Sequence, residues 1–460
     1  MKQYIFILLV TLSGVTLAQN NTRYSFTLQE AISVALDSNY SSINARRDIA
    51  KALQQKWEAT AAGLPQINGN LSYQNNLKQP VTLIPGELNG GAPGTFVPVI
   101  FGVPQNVNAT ATLNQLIFDG SYLVGLKAAK SFLRFSENLN EKTRLEIRKG
   151  VVNAYGSVLL SEELITVFEK NKITLEKNLF ETQKVFENGL TEEESVEQLE
   201  ITLLETSTQL SNARRANTIA QQMFNISLGI DVQANVVLTD NLDDLASQNG
   251  NIALLEQTAS IEENVDYKIA QNLTEQRDLE MQLEKSQYLP SLSAFINYGT
   301  AAFSNTFTFV DNSQPWFQSS LFGVNLNVPI FSSGMRNAKT KRARIALDQA
   351  KTELEETKQQ IQLELNTAKS NYQYAIEKYE NSKKNIGLAE RIQNKNQIKF
   401  TEGLATSFDL RQAQTQLYSA QQRYFQSMLD MINAKAAIET VLNTPQLRIT
   451  SDEIKTNYKY

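Results

Sequence analysis

The chain has 460 residues, and its 43 Lys and Arg against 48 Asp and Glu give a net charge of −5. That mild acidity, with both signs interspersed, offers no electrostatic footprint for nucleic acid. Neither histidine nor cysteine occurs, which excludes disulfides and most zinc sites and catalytic triads, and leaves no cysteine for lipid attachment.

Residues 1–18 read as a signal peptide. Met1-Lys2 is a short basic start, Tyr4 to Leu17 is almost wholly apolar, and Thr16-Leu17-Ala18 supplies small residues for cleavage. Beyond Ala18 no apolar run of the ~20 residues that a membrane-spanning helix needs is expected. A membrane crossing is then expected only through a closed β-barrel.

Six of the ten prolines fall between Pro65 and Pro104, and none lies in 105–289 or 330–444. Proline costs about 3 kcal/mol inside a helix, so those gaps are where long helices run. The chain is also duplicated. Phe186-Glu187-Asn188-Gly189-Leu190 matches Phe400-Thr401-Glu402-Gly403-Leu404, and Gly120 matches Gly334, all 214 positions apart. Upstream, Leu64-Pro65 matches Leu289-Pro290 and Asn39 matches Asn264, now 225 apart, because the first copy has a longer insertion between its strands. The repeat sets the expected organisation: a first structural repeat over 19–228, an equatorial or linker segment over 229–251, a second repeat over 252–442 and a C-terminal equatorial tail over 443–460.

Each repeat orders its elements alike: a helix of some 35 residues ending at Leu-Pro, a strand, a loop, a second strand, a glycine turn, a very long helix, a Gly-Leu turn and a returning helix. In the last returning helix Leu410, Leu417, Tyr424, Met431 and Ile438 recur every seven residues, with Ala413, Ala420, Ser427, Ala434 and Val441 between them. Large residues facing small ones suit knobs-into-holes packing. Val107, Ala109, Ala111 and Leu113 alternate with polar residues, as do Phe322, Val324, Leu326 and Val328, and Ile67, Gly69, Leu71 and Tyr73; the run from Leu292 to Tyr298 alternates less cleanly. Strands of about ten residues with one apolar face are the transmembrane-barrel pattern. Four strands cannot close a barrel, so several copies are expected to pool them. Residues 75–106 and 302–318 are expected to be loops outside the cell.

These features resemble the TolC-like outer-membrane efflux protein family across the whole mature chain. The resemblance is carried by the duplication, by the two Leu-Pro helix ends, by Val328-Pro329-Ile330-Phe331-Ser332-Ser333-Gly334 and by Gly403-Leu404-Ala405-Thr406-Ser407-Phe408-Asp409-Leu410-Arg411-Gln412. It implies an α+β membrane protein, internally duplicated. An oligomeric transmembrane β-barrel with four strands per chain would be continued by a long α-helical coiled-coil barrel. It also implies a homotrimer in the cell outer membrane extending into the periplasm. Such a trimer would be a passive conduit fed by an inner-membrane pump through a periplasmic adaptor (membrane fusion) protein, with no cofactor and no catalysis. From a different class, a non-conducting envelope coiled-coil tether is the alternative, and the amphipathic strands count against it.

The family places acidic residues at the narrow inner end of the tunnel. Asp409 falls on one such position, while Gln412 and the first-repeat equivalents Ser195 and Gln198 depart from the acidic pattern. Asp409 reads either as part of this constriction or as a solvated carboxylate favoured at a helix start. Gly189 and Gly403 read as left-handed helix ends. Leu190 and Leu404, apolar at exposed tips, suggest adaptor docking. The run Glu192-Glu193-Glu194 reads as a solvated helix start rather than a catalytic acid pair.

Overall fold

The computed structural model describes residues 24–250, 252–256, 260–445 and 447–448. The signal-peptide reading lies outside the described residues, and only part of the expected tail lies within them. In chain order the elements are β1 (Tyr24–Phe26), α1 (Leu28–Ser38), α2 (Tyr40–Ala61), β2 (Gln66–Asn75), β3 (Val81–Pro85), β4 (Phe96–Ile100), β5 (Gln105–Phe118) and α3 (Gly120–Glu187). Then come α4 (Glu193–Leu228), β6 (Val236–Leu238), α5 (Leu242–Asn249), α6 (Ala253–Glu256), α7 (Val265–Ser286), β7 (Ser291–Ser304), β8 (Phe317–Asn327), α8 (Met335–Thr401) and α9 (Ser407–Val441).

The duplication survives at the level of single hydrogen bonds. Asn39 and Asn264 each stand at a break before a 22-residue helix, α2 and α7. The Asn39 side chain donates to the Ser227 carbonyl at 2.8 Å and accepts from Ser41 N–H; Asn264 donates to Val441 at 2.9 Å and accepts from Asp266 N–H. Each asparagine thus ties the start of its repeat to the end of that repeat's returning helix. The 35-residue helix expected from the sequence is broken here: α1 and α2 are separate helices, and in the second copy α6 and a 3-10 turn at Ile261–Glu263 precede α7. An Asn side chain that bonds its own downstream backbone competes with helix continuation.

The chain divides into two compact units. One takes the described residues up to Ala50, Ser136–Gln271 and from Glu353 on. Its core joins α1 (Ala31, Ile32, Ala35), α3 (Val151, Tyr155, Val158), α8 (Tyr372, Ala375, Tyr379) and α9 (Phe425, Met428, Met431). The heptad residues are buried as spaced, namely Leu410, Leu417, Met431 and Ile438 with the small Ala413, Ala420 and Ser427; Met431 and Ile438 enter this core, and Leu417 and Ala420 form a separate cluster with Ala389. Tyr155 is wholly buried, with its hydroxyl 2.9 Å from Asp240 Oδ2 and 3.1 Å from the Phe26 carbonyl. Burial pushes this phenol well above its usual range. The same Asp240 oxygen accepts from Leu28 N–H, starting α1, while β1 pairs with β6 in parallel. The 229–251 segment is therefore not featureless: β6 and α5 lie in it, and Leu242, Leu245 and Ala246 of α5 enter the core.

One expectation is corrected in α3. This helix holds an 18-residue stretch of mean hydropathy 1.3, long and apolar enough by composition to cross a membrane. Its buried Val151, Val152, Tyr155, Val158 and Leu159 instead supply the centre of the core just described.

The second unit, Lys51–Phe135 with Asn272–Thr352, contains an antiparallel sheet of order β2-β5-β7-β8. Its register brings apolar residues of all four strands to one face, while Phe303, Phe317 and Leu321 lie on the other. Ile67 pairs with Leu113, Leu113 with Ile296, and Ile296 with Phe322; Leu71, Ala109 and Thr300 form another row, and Tyr73, Val107 and Ala302 a third. The opposite face carries Asn68, Asn70, Thr110, Thr112, Asn297 and Asn325. The irregularity noticed in β7 has a cause. Phe295 lies on the polar face directly opposite Gly323, and a Cβ there would sit 2.5 Å from its ring. Glycine makes room for the ring, and the ring covers a position without a side chain. Residues 75–106 are more than a loop, since β3 and β4 pair into a separate hairpin within them. From β8 the chain turns into α8 at Arg336, which is buried, donates to the Pro329 carbonyl at 2.9 Å and stacks on Tyr288.

Two of the left-handed positions make a test. Gly189 (φ +70°) has open space where a Cβ would lie, whereas at Gly229 (φ +77°) a Cβ would lie 2.2 Å from the Ser38 carbonyl oxygen. Gly189→Ala should cost only the backbone penalty, about 1–2 kcal/mol. Gly229→Ala adds a clash with main chain and should lower the thermal unfolding midpoint clearly further. Equal midpoints for the two variants would show that Ser38 moves aside freely.

Candidate functional site

The candidate site is formed by the turns joining α3 to α4 and α8 to α9. Both helices end in the same way. Gly189 N–H bonds to the Phe186 carbonyl and Leu190 N–H to Val185; Gly403 and Leu404 repeat this with Phe400 and Lys399. Each glycine has φ +70°, a conformation reached without strain only when Cβ is absent. The motif throws the next residue outward, and Leu190 and Leu404 are each 78% exposed, matching in both copies.

The returning helices begin differently. Thr406 caps α9 through a capping box: its hydroxyl accepts from Asp409 N–H, and the Asp409 carboxylate accepts from Thr406 N–H at 3.0 Å and from its hydroxyl at 2.7 Å. These bonds, the side-chain one first, hold the Asp409 carboxyl below its ordinary range, although the group is fully exposed. The counterpart in α4 is Glu192, whose side chain makes no capping bond. Asp409 therefore takes part in the start of α9. Ser195 stands where the second copy has Asp409, and it accepts a 3.0 Å hydrogen bond from Ser407 across the two turns. Arg411 stacks over the Phe408 ring at 5.3 Å.

A cavity of about 710 Å³ lies between these turns, lined by Thr182, Leu190, Ser195, Gln198, Gly403 and Phe400 among others. Residues expected separately at the constriction (Ser195, Gln198) and at the docking tips (Leu190, Gly403) therefore meet in one place. Asp409, Gln412, Gly189 and Leu404 are absent from its lining, and Gln412 is exposed on α9. Sequence reasoning missed Thr182, which is 3% exposed with a hydroxyl that has no partner, and Gln414, 1% exposed with neither amide atom paired. Thr182 continues the seven-residue series Phe168, Leu175, Thr182 with a polar side chain, and Gln414 lies off the heptad seams. Among the described residues no cluster of three or more acidic side chains is arranged to hold a metal ion.

Known proteins were compared with this fold and these turns. The outer membrane efflux protein family model matches residues 31–229 and 259–444. Among solved structures, the Campylobacter jejuni CmeC outer membrane channel is similar with a TM-score of 0.72 at 17% identity, over 93% of this chain and 88% of that one. The outer membrane protein VceC of Vibrio cholerae gives 0.68 at 16% identity, over 90% and 95%. The open state of the Neisseria gonorrhoeae MtrE outer membrane channel gives 0.69 at 17% identity, over 92% and 90%. No curated protein sequence matches the chain directly. A duplicated strand-and-long-helix chain of this kind is an outer-membrane transport conduit with a periplasmic extension. The chain belongs to the outer membrane efflux protein family.

The unequal helix starts predict unequal dynamics. A carboxyl whose folded pKa is lowered stabilises the helix start above its unfolded value near 3.9, and that contribution disappears as pH falls through the lowered value. At neutral pH the amides opening α9 should exchange with solvent more slowly than those opening α4. Thr406→Ala should bring the α9 amides close to the α4 rate. Hydrogen-exchange mass spectrometry reads this directly, and equal native rates at both starts would leave the capping box without effect.

Proposed function

We propose that this chain is the channel subunit of a multi-component export system, a passive conduit that performs no chemistry. Three copies pool their strands into a twelve-stranded barrel in the outer membrane, and the helices continue it as a coiled-coil barrel in the periplasm. An inner-membrane pump delivers the substrate through a periplasmic adaptor. In this reading 19–228 and 252–442 are the two repeats, and 229–251 with 443–460 forms the belt around the helices.

The observation that carries the reading is the four-stranded sheet. One face gathers Ile67, Leu71, Leu113, Ile296, Phe322, Val324 and Leu326 from all four strands, and the other carries the asparagines together with Phe303, Phe317 and Leu321, a two-faced wall of the kind that a membrane barrel uses. Among the described residues β2 and β8 are unpaired along their outer edges. The strands alternate in direction, so β8 of one copy meets β2 of the next antiparallel and the ring closes without a parallel pair. A non-conducting tether would need neither the two-faced sheet nor its open edges. The test is parity. Val324→Arg, on the apolar face, should destabilise the barrel by about 2–4 kcal/mol if it lies near the bilayer midplane. Asn325→Arg, facing the lumen, should cost much less. Equal losses of heat-resistant oligomer for both variants would sink the assignment.

The tips supply the second part of the proposal. Leu190 and Leu404 form the adaptor-docking tips with Gly189 and Gly403, and Ser195, Gln198, Asp409 and Gln412 form the constriction. Two carboxylates about 10 Å apart in water repel by only about 0.4 kcal/mol, so the three Asp409 copies do not hold an opening by repulsion. Packing and the Ser195–Ser407 bond set the closed arrangement. Replacing Leu190 and Leu404 together with aspartate should abolish export while leaving the yield of assembled channel unchanged. Export at the native rate in that double variant would leave these leucines a purely local role.

A further inference from the structure

The segment 305–316 between β7 and β8 does not simply cross from one strand to the next. It folds back onto one face of the sheet. Phe309, 8% exposed, packs on Val107 and Ala302. Phe307 and Phe309 both meet the Tyr73 ring edge to face, with centroids 5.8 and 6.0 Å away, and meet each other at 5.6 Å. Tyr73, Val107 and Ala302 form one cross-strand row, so they share a face with Leu71, Ile67 and Phe322. The segment therefore lies on the apolar side of the sheet, not over the polar side.

Its interior is braced. The Thr308 hydroxyl donates to Gln314 Oε1 at 2.6 Å and lies 2.8 Å from the Ser304 hydroxyl, while the Gln314 amide donates to the Phe303 carbonyl. Thr308 and Gln314 are half-buried and bonded to each other, while Phe307 at 62% and Val310 at 80% stand exposed among the exposed polar residues Asn305, Thr306, Asp311, Asn312 and Ser313. Asp311 is the segment's single charged residue. An exposed aromatic and aliphatic knuckle set among exposed polar side chains suits a boundary between hydrocarbon and headgroups, where aromatic residues concentrate.

We propose that this knuckle is a lipid anchor, with Phe307 and Val310 set into the outer-leaflet interface around the barrel. The inference rests on the barrel reading above. In that ring a neighbouring copy attaches through the edges of β2 and β8, within the plane of the sheet. The polar face is turned to the lumen. Lipid is then the environment of the apolar face and of whatever rests on it. The segment serves as a rim outside the barrel rather than as a lid over its mouth.

Single-tryptophan channels test this, with Trp57 and Trp316 replaced by phenylalanine and one probe introduced by Val310→Trp, Phe322→Trp or Asn325→Trp. Each is reconstituted in phosphatidylcholine vesicles brominated either near the glycerol or near the chain ends. The 310 probe should lose most of its emission to bromines near the glycerol. The 322 probe should be quenched by brominated lipid, and the 325 probe by aqueous iodide alone. Quenching of the 322 probe by lipid together with quenching of the 310 probe by iodide alone would overturn the anchor and leave the barrel standing. A 310 probe shielded from both quenchers would mean that protein covers the knuckle, which also overturns the anchor. Absence of lipid quenching at 322 would defeat the barrel-face assignment, and the anchor with it.

Discussion

Along the outer edges of β2 and β8 the backbone N–H and C=O groups have no partners among the described residues. An open edge in water is a liability for aggregation, and in hydrocarbon each unsatisfied group costs several kcal/mol. The sheet therefore cannot be a finished object. Its apolar face excludes water as the final environment on that side, and its edges exclude lipid as the final environment on the others. The proposed pairing with further copies in a closed ring would meet both conditions, and the alternating strand directions would make that pairing antiparallel throughout. The even strand count per chain follows from the duplication, which contributes two long strands per copy.

The helical unit depends on a different device, the fastening of each repeat's beginning to its end. Asn39 and Asn264 do this through carbonyls 214 positions apart. Close by, the two copies solve one packing problem in two ways. Gly229 takes a left-handed conformation and lies so near the Ser38 carbonyl that a Cβ would collide with it. Its counterpart Asn443 is also left-handed, and its amide donates to the Glu263 carbonyl, the counterpart of Ser38. One copy removes atoms to let backbones approach; the other inserts a donor between them.

What the sequence made legible was whatever is periodic. The seven-residue spacing from Leu410 to Ile438 named buried residues, and alternation from Val107 to Leu113 named one face of β5. The repeat offsets located α2 and α7 as counterparts, because each begins one residue after its matched asparagine. What stayed hidden is held by contacts between residues distant in sequence. Phe295 breaks its strand's pattern only because Gly323 lies opposite it. Nothing in the sequence sets Tyr155 apart, and only the fold brings Asp240 and the Phe26 carbonyl to its hydroxyl. The β3–β4 hairpin was masked by Pro85 and Pro98, which argue against strands in the middle of a sheet but are tolerated where an edge lacks a neighbour. At the tips, Leu190 and Leu404 were legible as exposed because a glycine helix end dictates it. The buried Gln414 was not, since it lies off the heptad seams, and Thr182, although seven residues after Leu175, was passed over because it is polar.

The unlike helix starts at the two turns have a consequence for symmetry. Duplication gives every chain two hairpin tips, so a ring of three copies would display six, and the matched Gly-Leu turns make them look equivalent. The Thr406–Asp409 box occurs in only one of each pair, with Glu192 and Ser195 in the other. In the proposed trimer the ring of tips would therefore alternate between a braced and an unbraced kind, and its symmetry would be threefold. A partner presenting six identical edges would meet two kinds of seat. Any partner that binds all six must either tolerate that difference or carry a matching alternation of its own.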